Sequence, residues 1–204
     1  ALAEKIAAMG VETALTITGK VIDNPVVKLN QLELQLESLQ IENEAEIPLP
    51  FDPFADTLPA LDYRLDWRYM DLRRPYNTLL FQVATTIEMA MREYWIKHAF
   101  IEVHSPKLMG TPSESGAELF SLDYFERKAY LAQSPQFYKQ MAMAAGFERI
   151  FEIGPVFRAD PSFTARHMTE FTGVDVEISW IDSHEDVMSF QENWLQYVYA
   201  RVKE

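Results

Sequence analysis

The segment Phe171-Thr172-Gly173-Val174-Asp175-Val176-Glu177-Ile178-Ser179-Trp180 repeats with a period of two. Val174, Val176, Ile178 and Trp180 fall on one side, and Asp175, Glu177 and Ser179 on the other. That period belongs to a β-strand, because successive side chains of a strand point to opposite faces. The apolar side has to find a core. The other side carries two carboxylates in mid-strand, and carboxylates enclosed without a partner are costly, so they call for a cation or a ligand amine. A solvated sheet face would carry the same pattern. A second strand is expected over 149–158, and a polar loop separates it from the strand over 171–181.

Around this pair the chain reads as strands joined by short loops and interleaved with helices, which is an α+β pattern with an antiparallel sheet. A helix is expected over 77–98 with Asn77 as its cap. Leu80, Ala84, Ile87 and Met91 follow at helical spacing, and Tyr94 and Trp95 continue the stripe. A strand over 100–104 should stop at Pro106. Residues 110–118 form a loop, strands follow over 119–125 and 128–133, and a helix begins after Ser134 and Pro135 and ends at Gly146. A last helix is expected over 184–202.

The opening of the chain differs. A short helix over 1–9 precedes two strands, 14–21 and 32–39, and in the second Leu32, Leu34, Leu36 and Leu39 nearly alternate with polar residues, as in a sheet with one wet face. Two strands alone are a poor domain. Prolines 48, 50 and 53 break the next stretch into a linker. The expected division is 1–46, a linker at 47–60, and a larger unit at 61–204.

Composition excludes several classes. With 48% hydrophobic residues the chain can bury a core. No apolar run approaches the length of a membrane span, and no signal-peptide segment follows Ala1. Cysteine is absent, so disulfides and thiolate metal sites are excluded, which suits a cytoplasmic setting. The four histidines show no metal-ligand spacing, so no metal site is expected within the chain. The net charge of −13 argues against general attraction to nucleic acid. Much of the excess lies in residues 1–60, where Lys5, Lys20 and Lys28 face ten carboxylates.

Three constellations carry chemistry. Arg158 at a strand end, Arg166 and His167 on the loop, and Phe171 on the returning strand form a candidate nucleotide clamp: a guanidinium can fork onto a phosphate and a ring can lie on a base. A surface arginine beside a core phenylalanine is the plainer reading. Asp175 and Glu177 are the second constellation. Gln136 and Lys139 are the third, three residues apart on one helix face, where an amide and an ammonium can grip a small carboxylate. A solvent-facing helix start would read the same way.

These segments together resemble one family. Ser134-Pro135-Gln136-Phe137-Tyr138-Lys139-Gln140, then Gly154-Pro155-Val156-Phe157-Arg158-Ala159-Asp160, then Arg166-His167-Met168-Thr169-Glu170-Phe171 look like the class II aminoacyl-tRNA synthetases, in their aspartate branch of archaeal and eukaryotic type. The helix at 77–98 with Phe100-Ile101-Glu102-Val103-His104-Ser105-Pro106 is similar to the family's first signature, which forms a dimer interface. The segment from Leu65 to Pro75 resembles the entry to its catalytic domain, and residues 14–50 resemble the last strands and hinge of its anticodon-binding OB barrel.

The resemblance implies ATP-dependent formation of aspartyl-adenylate and transfer to tRNA. Arg158 would be the catalytic arginine, holding the α-phosphate of ATP and the amino-acid carboxylate. Asp160, Arg166, His167, Met168 and Phe171 would bind ATP, with Phe171 on adenine. Ser113, Glu114, Gln136, Lys139 and Asp175 would bind aspartate, with Lys139 on its side-chain carboxylate. L-aspartate, ATP and tRNA would be the partners of a cytoplasmic homodimer without membrane association.

The departures from the family pattern are specific. Asp160 stands where glutamate is usual, and Ser115 where the loop commonly has glycine. Nothing matches the third signature with its γ-phosphate arginine, nor the late carboxylates that bind Mg2+, nor the first OB strands. The expectation is therefore an excerpt of a longer enzyme, inactive by itself, with Mg2+ held elsewhere in the full-length protein. The alternatives are an asparagine-specific or non-discriminating synthetase, or a catalytically inactive paralogue serving as a binding module. Lys139 opposes the asparagine reading, since an ammonium matches a carboxylate better than an amide.

Overall fold

The computed structural model describes residues 2–113, 118–161, 164 and 166–204, with side chains from residue 4 onward. It contains two compact units, Ala1–Thr78 and Leu79–Glu204.

In the first unit, helix α1 (Leu2–Ala8) precedes strands β1 (Ala14–Asp23) and β2 (Leu32–Asn43), which pair antiparallel from Ala14↔Asn43 to Asp23↔Leu32. The register shifts at Thr18/Gly19. A Cβ at Gly19 would lie 2.2 Å from the Gln35 carbonyl oxygen, so only glycine lets the strands approach there. The register gathers the apolar residues on one face, with Leu15 opposite Ile41, Ile17 opposite Leu39 and Val21 opposite Leu34, as the alternation expects, but Leu15, Ile17, Leu32 and Leu34 are exposed. A two-stranded ribbon has no second layer on which to bury an apolar side.

Helices α2 (Leu61–Asp66) and α3 (Arg68–Asp71) follow. The Asp71 carboxylate is buried and accepts from Arg64 Nη1 at 2.9 Å, Arg68 Nη1 at 2.5 Å and Asn77 Nδ2 at 3.2 Å. Asn77 is thus not a helix cap. Helix α4 (Pro75–Lys97) starts two residues earlier, at a proline whose fixed φ suits a first turn, and the buried Asn77 amide serves Asp71 instead.

The second unit holds two three-stranded sheets, ordered β3-β7-β8 and β4-β6-β5. In the first sheet, β7 (Arg149–Phe157) and β8 (Glu170–Ile178) pair antiparallel from Arg149↔Ile178 to Phe157↔Glu170. The short β3 (Ile101–Glu102) joins β7 in parallel. The second sheet is β4 (Leu108–Met109), β5 (Ser121–Tyr124) and β6 (Arg127–Leu131), all antiparallel. Ala132 connects the sheets: its N–H donates to the Lys107 carbonyl at 3.0 Å, and its carbonyl accepts from Phe157 N at 2.9 Å. Helices α5 (Gln136–Ala144) and α6 (His184–Lys203) complete the unit.

The core lies behind the β7–β8 pair. Tyr94, Trp95, Phe100, Phe151 and Ile153 form its centre, with Val176, Ile178, Phe190 and Trp194 packed against it. Trp95 sits between Phe151, with ring centroids 4.6 Å apart, and Trp194, at 5.1 Å. Burying a ring system of roughly 200 Å² is worth on the order of 5 kcal/mol before the entropy of ordering it.

Helix α4 and strand β8 both depart from expectation. The helical stripe is buried only in its second half, at Tyr94 and Trp95, while Leu80 and Ala84 are exposed together with Leu79, Phe81 and Met89. The strand over 171–181 ends at Ile178: Trp180 has φ +60° and is 88% exposed, so it leaves the apolar row. Among the described residues, no helix is long and apolar enough to cross a membrane.

Candidate active site

The β7–β8 register sorts side chains between two faces. Phe151, Ile153, Val176 and Ile178 belong to the core. The opposite face carries the directly paired rows Ile150↔Glu177, Glu152↔Asp175, Gly154↔Gly173 and Val156↔Phe171. The site is built on this second face.

At one end stands Lys139. Helix α5 begins after Pro135, one residue later than a Ser134 cap predicts, though the Ser134 hydroxyl still accepts from Gln136 N at 3.4 Å. Gly146, at φ +91°, follows the helix end, as expected. Helical geometry puts Lys139 on the sheet, where it is only 6% exposed. Its ammonium meets Asp175 Oδ1 at 3.0 Å, Glu177 Oε2 at 3.2 Å and the Val176 carbonyl at 3.4 Å. The two mid-strand carboxylates thus have a cationic partner, which a solvated face would not need. Gln136 lies half-buried one turn earlier.

At the other end stands Arg158, just past β7, with its N–H donating to the Thr169 carbonyl at 2.9 Å. The Arg158 guanidinium carbon is 5.7 Å from the centroid of the Phe171 ring, within range of a cation–π contact. Phe171 is exposed, so part of its ring surface is open.

Between these ends lie the facing glycines. A Cβ on Gly173 would approach Asp175 Oδ2 and both Val156 methyls at 3.3 Å, and one on Gly154 would come within 3.3 Å of Glu152 Oε1. Two missing side chains leave a bare backbone floor between a lysine–carboxylate cluster and an arginine–aromatic pair. A molecule with an amine and a carboxylate at one end and a phosphate and a base at the other suits such a surface.

The remaining predicted site residues are placed as follows. Asp160, Arg166, His167 and Met168 are exposed, and the Thr164 hydroxyl bonds locally to His167 Nδ1 at 2.6 Å. Ser113 is buried, and its hydroxyl accepts from Gln133 N at 3.0 Å and Ser134 N at 3.4 Å, fixing the entry to α5. Glu114 lies outside the described residues. Among the described residues, no group of three or more potential metal ligands comes together.

Sequence reasoning missed a further cluster on this face. Glu152 is 2% exposed, and Oε1 accepts from Lys107 Nζ and from Ser105 Oγ at 3.0 Å, while Oε2 accepts from Ser105 N at 3.1 Å. The available signal was a lone charge in the apolar run Ile150-Phe151-Glu152-Ile153.

Comparison with known proteins identifies the family. An aspartate–tRNA(Asp) ligase of Pyrococcus abyssi is 44% identical over 193 residues, 95% of this chain and 44% of its own length. An aspartate–tRNA(Asp/Asn) ligase of Methanopyrus kandleri is 43% identical over 201 residues, 98% of this chain and 46% of its own. The crystal structure of an asparaginyl-tRNA synthetase from Pyrococcus horikoshii complexed with asparaginyl-adenylate superposes with a TM-score of 0.86 at 33% identity, covering 98% of this chain and 45% of that one. The chain therefore spans less than half the length of the curated relatives it matches. The sequence model for tRNA synthetases class II (D, K and N) matches residues 60–204, which include every residue of the site just described, and the chain belongs to that family.

Proposed function

We propose that this chain carries part of the amino-acid-activating centre of an aspartate–tRNA ligase, and that the full-length protein uses L-aspartate, ATP and tRNA. The observation that carries this reading is the buried Lys139 ammonium beside Asp175 and Glu177, one glycine floor away from Arg158 and Phe171. Lys139, with Gln136 beside it, meets the side-chain carboxylate of aspartate, and Asp175 meets its ammonium. Arg158 forks onto the α-carboxylate and the α-phosphate, while adenine lies on Phe171. Asp160, Arg166, His167 and Met168 line the nucleotide side, and Ser113 and Glu114 border the amino acid.

The reaction needs no side-chain nucleophile. A carboxylate oxygen of aspartate attacks the α-phosphorus, the bond to the β-phosphate bridging oxygen breaks, and pyrophosphate leaves. The terminal ribose hydroxyl of tRNA then attacks the acyl carbon, and AMP leaves. The chain's contribution is positioning, together with the positive charge of Arg158 on the α-phosphate under attack. Mg2+ would shield the phosphate charge; among the described residues no group of three or more potential ligands for it comes together.

Residues 1–46 form the end of an OB-type anticodon-binding barrel in this reading, 47–60 its hinge, and 61–204 the first part of the catalytic domain. Exposed Leu80, Phe81 and Met89 on α4 support a homodimer, since a helix that is apolar beyond its core face needs a partner. A cytoplasmic location follows from the same reading. The Asp/Asn relative and the asparaginyl-adenylate complex favour one second reading, charging of both tRNAs or activation of asparagine. Pyrophosphate exchange by the full-length protein tests the amino acid, and aspartate charging of tRNA(Asp) against tRNA(Asn) tests the range of tRNAs. Exchange should depend on aspartate and fail with asparagine, and equal or faster exchange with asparagine would reverse the assignment.

A further inference from the structure

We propose that Lys107 and Glu152 form a specificity-determining pair for the amino-acid pocket, acting through charge without touching the substrate. The proposal rests on the reading of the site given above.

Glu152 and Asp175 are direct cross-strand partners on the same sheet face, which puts their Cβ atoms about 5 Å apart. Like charges in that position repel, and a buried ion pair seldom stabilises a fold more than apolar residues would. A carboxylate kept here at 2% exposure therefore invites a reason other than stability. Its surroundings suggest one. A Cβ at Gly154 would lie 3.3 Å from Glu152 Oε1 and 3.7 Å from Lys107 Nζ, so both charges border the bare floor between the site's two ends.

Two lysines thus serve three carboxylates on one face: Lys107 holds Glu152, and Lys139 holds Asp175 and Glu177. With all five ionised, the face carries one net negative charge. An aspartate substrate is itself a net anion at neutral pH, whereas asparagine is a zwitterion with no net charge. By neutralising Glu152, Lys107 keeps the face from repelling aspartate and leaves Lys139 with two competing carboxylates instead of three.

The signs of the variants separate this role from plain support of the fold. Lys107→Met leaves Glu152 uncompensated and raises the net charge to two negatives, which penalises aspartate but not asparagine. Glu152→Gln with Lys107 intact brings the face to neutrality and acts in the opposite direction. Combining the two restores the original charge. A pair that only braced the sheet would give single variants that both weaken both ligands alike.

The test uses the full-length protein, with the aspartate KM in pyrophosphate exchange and the inhibition constant of asparagine as competitor. Lys107→Met should raise the ratio of aspartate KM to asparagine Ki roughly tenfold, as expected for one extra charge several ångströms away at intermediate effective dielectric. Glu152→Gln should lower that ratio, the double variant should return it to within about twofold of wild type, and the KM for ATP should stay put in all three. If Lys107→Met does not fold, Glu152→Gln should still lower the ratio and adding Lys107→Met to it should still bring the ratio back towards wild type. Both single variants shifting the ratio in the same direction, or not at all, overturns the proposal. A wild-type protein with no aspartate-dependent exchange would instead overturn the underlying reading of the site.

Discussion

Replacing Lys139 by methionine removes an ammonium while keeping much of the side chain's length and volume. The Lys139 ammonium serves Asp175 at 3.0 Å and Glu177 at 3.2 Å, and the side chains of those acids are 26% and 29% exposed. Without it, two carboxylates two residues apart on one strand face lose their counter-ion. Removing one member of a fully buried pair costs about 3–5 kcal/mol, and partial access to water lowers this to about 2–3 kcal/mol here. With a urea slope of about 3 kcal/mol per molar or steeper for a protein of full length, the denaturation midpoint should fall by roughly 0.5–1 M. Aspartate should lose its side-chain partner, and kcat/KM for aspartate in pyrophosphate exchange should drop by about two orders of magnitude or more. The KM for ATP should change little, because Arg158 and Phe171 are untouched. Adding Glu177→Gln to Lys139→Met should recover part of the stability by removing one of the stranded charges, without recovering aspartate use. A Lys139→Met protein with an undisplaced midpoint, or with undiminished kcat/KM for aspartate, would refute this account of the site.

Gly19→Ala places a methyl group 2.2 Å from the Gln35 carbonyl oxygen, so the backbone must shift; about 2 kcal/mol or more should be lost, with proteolysis appearing first within residues 14–43. Gly110→Ala meets nothing within 4 Å among the described residues and should be nearly neutral in the same assay. The Asp186 carboxylate accepts from Ser183 N at 3.0 Å and Asp182 N at 2.9 Å, and these bonds hold its pKa below the ordinary carboxylate value. Its contribution is present above the unfolded-state pKa and disappears as pH falls through the lower folded-state value, so Asp186→Asn should flatten the pH dependence of stability below about pH 4. At neutral pH, Ser183→Ala should cost about 1 kcal/mol in a denaturant titration, because the Ser183 hydroxyl accepts from Glu185 N at the start of α6. Phe81→Glu should shift the full-length protein from dimer to monomer in sedimentation; an undiminished dimer would exclude this face of α4 as the interface.

Features with a short-range signal were legible in the sequence. The alternation along β8 gave the strand, its two faces and the pairing need of Asp175 and Glu177, while Ser134, Pro135 and Gly146 bracketed α5. Boundaries failed where a tertiary partner overrode local preference. Asn77 has the composition of a cap, yet it is committed to Asp71, six residues back. Trp180 continues an apolar row on paper, but its positive φ turns the chain away after Ile178. The Lys107–Glu152 pair joins residues 45 apart in sequence, and no periodicity announces a contact of that range. Helical spacing puts Leu80 and Ala84 on the face of α4 that carries Tyr94 and Trp95, but only the later turns meet Phe151 and Trp194, so the stripe is exposed earlier in the helix.

The position of β8 has a practical consequence. In the order β3-β7-β8, the strand that carries Asp175, Glu177 and Phe171 is an outer strand, paired on one side only among the described residues. Alternate amides along its nine residues therefore bond to β7, while those between them point outward. Hydrogen exchange along β8 should oscillate with a period of two, slow where the N–H faces β7 and fast where it faces away. A row left open among the described residues is a template for another strand. The carboxylates that fit the site for an amino acid also act as gatekeepers, because stacking a second copy of β8 alongside the first would bring Asp175 and Glu177 against their own kind. Neutralising both at once should therefore favour fibril-like, edge-to-edge assembly of this chain, detectable as more dye-binding aggregate than the wild-type sequence gives under the same conditions.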